Sequence, residues 1–171
     1  MPTVFVYGSL LNPASIGQTL GRKVTLKEYQ PVTLNGYTRT WNATAPVFST
    51  QLKQPVTGRF LDITAKPGSQ VTGAVIEVSP QEFEALKRRE RGYDWVDVRP
   101  QLTGAKLPKE PVLTADFPER HATGVVFEQY LRVVQTGLAQ WGKDFQQQFQ
   151  KTTQPVPGPL VGGGYRFNAV G

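Results

Sequence analysis

Acid–base chemistry in this chain falls to carboxylates and tyrosines, because the sequence holds no cysteine and a single histidine, His121. That composition excludes thiolate metal sites, disulfides and cysteine nucleophiles, and it leaves neither a histidine-rich metal site nor a ready Ser-His-Asp triad. His121 sits beside Glu119 and Arg120 and reads as a surface residue. Among the carboxylates, Glu90 stands out. It follows a helical pattern over Gln81 to Arg89 and precedes Gly92-Tyr93, where the chain turns into a strand. From such a place a side chain can point into the mouth of a barrel and serve as a proton acceptor. A solvated glutamate at an alternating-charge helix end fits the same residues.

A second constellation lies near the start of the chain. Thr3 to Tyr7 are β-branched or aromatic and predict a buried strand, which runs into Gly8-Ser9-Leu10. Gly8 lacks the Cβ that would keep a ligand from the main chain. Asn12 and Pro13 then read as an N-cap and first-turn proline for a helix over Ala14 to Leu20. Strand, glycine turn and helix start together can accept an anion through backbone amides. The local pattern also fits an ordinary strand-to-helix connection.

These residues need a frame to hold them. Lys27 to Asn42 alternates like a strand pair turning at Asn35-Gly36, a strong hairpin signal. Residues 43–70 are rich in Pro, Gly, Thr and Gln and are expected to be the most irregular, with one strand at Gly58 to Ile63. Thr72 to Val78 predicts a strand, and Ser79-Pro80-Gln81-Glu82 a capping box for the next helix. Tyr93 to Val98 and Ala122 to Phe127 are further expected strands. Phe127, Leu131, Val134, Leu138, Trp141, Phe145 and Phe149 recur at helical spacing, with Gly137 and Gly142 suggesting a break into two helices. The expected fold class is mixed α/β (α+β): a small mixed β-barrel with a few flanking helices. Residues 1–153 would form the domain and 154–171 a Pro/Gly-rich coil extension, with Tyr165 and Phe167 packed back on the body.

At 171 residues, one core suffices. The net charge of +6 is spread along the chain; Lys87-Arg88-Arg89 is its basic run, and no aromatic residues interleave with it. No nucleic-acid partner is therefore expected. Neither a signal peptide nor a membrane span is expected from the apolar runs, so a cytoplasmic protein without membrane association is the default reading.

Tyr7-Gly8-Ser9-Leu10, Gly36 to Asn42, Thr72 to Val78, and Leu86 through Arg89-Glu90-Arg91-Gly92-Tyr93 to Val98 resemble, in order and spacing, the gamma-glutamylcyclotransferase-like superfamily. Tyr130 to Gly137 and Phe145 to Thr153 extend the resemblance. One departure is Lys87, where an aspartate is common. The resemblance implies a metal-independent enzyme, without cofactor, that cyclises a small γ-glutamyl amine or amide to 5-oxoproline. It implies Glu90 as the catalytic acid–base and a substrate pocket lined by Tyr7, Gly8, Ser9 and Leu10. Arg39 and Tyr93 are further candidates for substrate binding, and Trp41 for pocket wall or core. For Glu90 to act as a base its pKa should be raised by burial, so Arg89 and Arg91 are expected to point away. A catalytically silent module on the same fold, binding an acidic small molecule or protein, is the alternative. The oligomeric state is left open.

Overall fold

The computed structural model describes residues 1–117 and 123–167, so His121 lies outside the described residues. Strand β1 (Thr3–Val6) sits near the middle of a curled, open sheet. It pairs antiparallel with β3 (Gln54–Glu77) from Thr3↔Glu77 to Val6↔Ala74, and parallel with β6 (Val112–Asp116) through Thr3↔Val112. Val4 and Val6 enter one apolar cluster and Phe5 and Tyr7 another. Burial on both faces explains the unbroken apolar run.

The largest pairing joins β2 (Tyr29–Ser49) to β3, with β5 (Leu102–Thr103) beside β2 and β4 (Asp94–Asp97) beside β6. The expected hairpin at Asn35-Gly36 does not form. Gly36 takes φ +81 at a register shift between Asn35 and Tyr37, so its conformational freedom serves a bulge in a strand that continues. A second shift lies between Thr40 and Ala43. Bulges raise local twist, which curls the sheet. The reversal comes instead after Ser49, where its main-chain oxygen accepts from Lys53 N at 2.8 Å and its hydroxyl from Leu52 N at 3.1 Å. Residues 43–70, expected to be irregular, are therefore mostly long strand.

Helix α1 (Pro13–Leu20) begins as its sequence predicts, with the Asn12 side chain accepting from Ala14 N at 3.0 Å. In α2 (Pro80–Arg89) the capping box is complete: Ser79 Oγ accepts from Glu82 N at 3.1 Å, and Glu82 Oε1 from Ser79 N at 2.8 Å. The late helical stripe does split, into α3 (Glu128–Leu138) and α4 (Lys143–Lys151), while Phe127 belongs to the short strand β7 (Val126–Phe127). Gly137 remains inside α3, where a Cβ would lie 2.6 Å from the Cβ of Asn12. It is a packing glycine rather than a breaker. After α4 the chain forms two short strands, β8 (Leu160–Val161) parallel to β7 and β9 (Tyr165–Phe167) antiparallel to β2. Among the described residues no helix is long and apolar enough to cross a membrane.

Candidate active site

The turn after β1 is a single 3-10 turn over Ser9–Leu11, and its main chain is fastened from behind. Arg39 Nε donates to Tyr7 O at 2.7 Å, Tyr29 Oη to Leu10 O at 2.7 Å, and Trp141 Nε1 to Leu11 O at 3.0 Å. Gly8 O and Ser9 O accept from Leu11 N and Asn12 N, both at 3.0 Å. Every carbonyl from Tyr7 to Leu11 thus has a donor. The amides of Gly8, Ser9 and Leu10 precede the first internal bond and find no acceptor within the turn. Gly8 has φ −135, so its use lies in close approach rather than in a left-handed conformation. A Cβ there would sit 3.4 Å from Leu61 Cβ and 3.5 Å from Tyr130 Oη.

That turn borders a cavity of about 370 Å³, and the end of α2 borders the same cavity with Arg89, Glu90, Arg91 and Tyr93. Glu90 is the residue just past α2; its amide donates to Leu86 O at 2.9 Å and its carbonyl accepts from Tyr93 N at 3.0 Å. Gly92, at φ +93, completes the reversal into β4. Leu86, fully buried, fixes the depth of the helix end. The Glu90 side chain keeps only 17% of its surface exposed. Burial raises its pKa above the ordinary carboxylate range, and Arg89 pulls in the opposite direction.

Arg89 does not point away, as the sequence had led us to expect. Its Nε lies 3.7 Å from Glu90 Oε1, and its guanidinium donates to Ser15 O at 3.1 Å, Ser15 Oγ at 2.9 Å, Thr19 Oγ1 at 2.7 Å and Ser9 Oγ at 3.3 Å. The hydroxyls of α1 attract it to the cavity rim. Arg91 also borders the cavity.

Arg39 is brought to the turn but not to the cavity lining. It is fully buried, stacked over the Phe149 ring at 3.7 Å, and donates to Phe149 O, Thr152 Oγ1, Thr153 Oγ1 and Thr72 O besides Tyr7 O. Burial lowers its pKa to about 9, so it stays charged at neutral pH. Its place is behind the turn. Trp41 is core, its indole donating to Gln154 O at 3.2 Å. Tyr7 is anchored as well: its hydroxyl donates to Ala115 O at 2.6 Å, and burial raises its pKa. Tyr93 stands edge-on to Phe117, ring centroids 5.2 Å apart, and burial followed by the Glu90 charge raises its pKa.

Sequence reasoning missed Tyr130, Phe60, Tyr165 and Phe167 among the cavity residues. Tyr130 Oη accepts from Leu61 N at 3.3 Å beside Gly8. Its signal was its position, four residues before Val134 and seven before Gly137 on the buried side of α3, which reads equally as core.

A family model described as gamma-glutamyl cyclotransferase, AIG2-like, matches residues 4–110. Among solved structures, a gamma-glutamyl cyclotransferase aligns with TM-score 0.66 at 15% identity, covering 94% of this chain and 93% of its own. An uncharacterised Homo sapiens protein aligns with TM-score 0.60 at 16% identity, over 93% and 92% of the two chains. A yeast gamma-glutamyl cyclotransferase specific to glutathione aligns with TM-score 0.55 at 15% identity, over 90% and 97%. No curated protein sequence matches. At these identities the structural likeness speaks for the fold, while the sequence model spans most of the chain, including the Tyr7–Leu10 turn and Glu90. The chain belongs to the gamma-glutamyl cyclotransferase, AIG2-like family.

Proposed function

We propose that the protein cyclises a γ-glutamyl amine or amide to 5-oxoproline and releases the amine, with Glu90 as general acid–base. One observation carries the reading: a desolvated carboxylate and a turn with unspent amides border one cavity of ligand size. The substrate's α-amino nitrogen attacks its own γ-carbonyl carbon, and the bond from that carbon to the leaving nitrogen breaks. One proton leaves the attacking nitrogen and one reaches the departing amine, so the reaction balances with no co-substrate. Glu90 takes the first proton and delivers the second. The amides of Gly8, Ser9 and Leu10 hold the α-carboxylate or the developing oxyanion, a donor of the latter kind lowering the barrier by about 3 kcal/mol. Folding the glutamyl chain against the turn supplies the ring-closing geometry.

The raised pKa fits this role, since a base that must later act as an acid works best near the operating pH. Arg89 holds the rise in check. The test is a panel of γ-glutamyl amines, amino acids and peptides assayed for 5-oxoproline. Glu90→Gln keeps shape and hydrogen bonding but loses the base, so kcat should fall by roughly two to four orders of magnitude with an unchanged circular dichroism spectrum. A panel yielding no 5-oxoproline, or wild-type rates in Glu90→Gln, overturns the proposal. Tight binding of a γ-glutamyl compound without turnover would point instead to a silent binding module.

A further inference from the structure

Among the described residues, the cavity's charged neighbours, Arg89, Glu90 and Arg91, all come from the end of α2. Its other contributors are of a different kind. Strand β2 supplies Ala43 to Pro46, β3 supplies Phe60, and the C-terminal strand β9 supplies Tyr165 and Phe167. The Phe60 ring lies 5.4 Å from Tyr165 and 5.9 Å from Phe167, and the Tyr165 and Phe167 rings are 5.7 Å apart edge-on. Arg166, between them, turns to the far side and stacks over Phe48 at 4.6 Å.

This aromatic set is held in place. Strand β9 pairs with β2 from Val47↔Phe167 to Ser49↔Tyr165. Thr50 Oγ1 bonds both Gly164 O and Gly164 N at 3.0 Å, and Tyr165 N donates to Gln129 Oε1 at 3.2 Å. A Cβ on Gly164 would lie 2.3 Å from that same Gln129 oxygen, so the glycine lets the strap come close. Phe167, which borders the cavity, nevertheless leaves 61% of its surface exposed. With Phe60 buried and Tyr165 half-buried behind it, the exposed Phe167 ring beside the cavity gains stability when an apolar ligand group covers it.

We propose that Phe60, Tyr165 and Phe167 receive the departing amine, so that the preferred substrates are γ-glutamyl conjugates of amines bearing an aromatic or other apolar group. This rests on the cyclisation reading above. The glutamyl part, with its own carboxylate and amine, needs the turn amides and Glu90, which leaves the aromatic set to the group on the leaving nitrogen. That group passes through the reaction unchanged.

Two substrates isolate the feature. γ-Glutamylphenethylamine and γ-glutamylmethylamine differ by the apolar group. The phenethylamine conjugate should exceed the methylamine conjugate in kcat/KM by about tenfold or more. Phe167→Ala, at an exposed position, and Tyr165→Ala, checked for folding by circular dichroism, should each bring the phenethyl-to-methyl ratio down severalfold. Equal or better turnover of γ-glutamylmethylamine overturns the inference while leaving cyclisation standing, as does a ratio unmoved in both variants. Absence of 5-oxoproline from every γ-glutamyl compound overturns both.

Discussion

The two sides of the Tyr7–Leu10 turn are built on opposite rules. Behind it, polar groups are satisfied: the buried guanidinium of Arg39 meets the carbonyls of Tyr7, Thr72 and Phe149 and the hydroxyls of Thr152 and Thr153, while Tyr29 and Trp141 close the remaining carbonyls. In front of it, the turn amides are left without acceptors in the turn, and Glu90 is kept from water with Arg89 only at 3.7 Å. Two arginines mark the contrast. Arg39 is fully buried among neutral oxygens; Arg89 rides the cavity rim beside the carboxylate. The rear stabilises the fold and the front holds the poorly solvated group that chemistry requires. Damage to the two sides should therefore be felt in different measurements.

The largest effect is expected at the rear. Arg39→Met keeps much of the stack on Phe149 but strips the donors from several buried carbonyls, each costly to leave unmade. We expect a loss of about 4 kcal/mol and a fall in Tm of roughly 10 °C, read by denaturant and thermal unfolding. Arg39→Lys should recover little, since one ammonium cannot span donors this far apart. Stability within about 1 kcal/mol of wild type in Arg39→Met would erase the distinction. Glu90→Gln should behave in the opposite sense. Because the folded-state pKa of Glu90 is raised, wild type loses stability as pH rises from the ordinary glutamate value through the raised one. The glutamine does not titrate, so the variant should be at least as stable at neutral pH despite its lost activity.

The sequence revealed the front better than the rear, for a physical reason. Glu90 and the Tyr7–Leu10 turn announce themselves through neighbours in the chain: a capped helix, a glycine, a proline at a first turn. Both helix starts, at Asn12-Pro13 and Ser79-Pro80, formed as local side-chain chemistry dictates. Arg39 takes its partners from residues 72, 149, 152 and 153, and no local pattern points to them. The same limit hid β6, which lies parallel to β1 across more than half the chain. At Asn35-Gly36 the hairpin signal was assigned to a turn, whereas the long pairing of β2 with β3 makes it a bulge with Gly36 at φ +81. Arg89 was misplaced because the hydroxyls that draw it in, Ser15 and Thr19, sit on another helix.

A middle-sized effect should separate main chain from side chain within the turn. Gly8→Val adds methyl groups beside Tyr130 and the cavity, with ordinary contact at Cβ. Folding should survive while KM rises about tenfold or more. Ser9→Ala removes a hydroxyl that accepts one long bond, 3.3 Å, from Arg89, and leaves its amide in place; a change within about threefold in kcat/KM is expected. Unchanged kinetics in Gly8→Val together with collapse in Ser9→Ala would give the interaction to the serine hydroxyl and take it from the backbone.

The smallest effect, and the sharpest test of the two arginines, is a shift in a pH profile. Arg89 is tied to α1 and lowers the pKa of Glu90 against the upward push of burial. Arg89→Gln removes the charge but retains an amide able to donate to Ser15 or Thr19. With its cationic neighbour gone, Glu90 should hold its proton to higher pH, so the acidic limb of kcat/KM should move to higher pH. Raising salt in the wild type should move the limb in the same direction, and less, because a pair this sheltered is only partly screened. Glu90→Gln should show no such limb in its residual activity. A limb that stays still in Arg89→Gln, or moves to lower pH, would mean that Arg89 only fastens helix to helix. It would then belong with Arg39 among the groups that build the site, and the division between a satisfied rear and a charged front would fail at this residue.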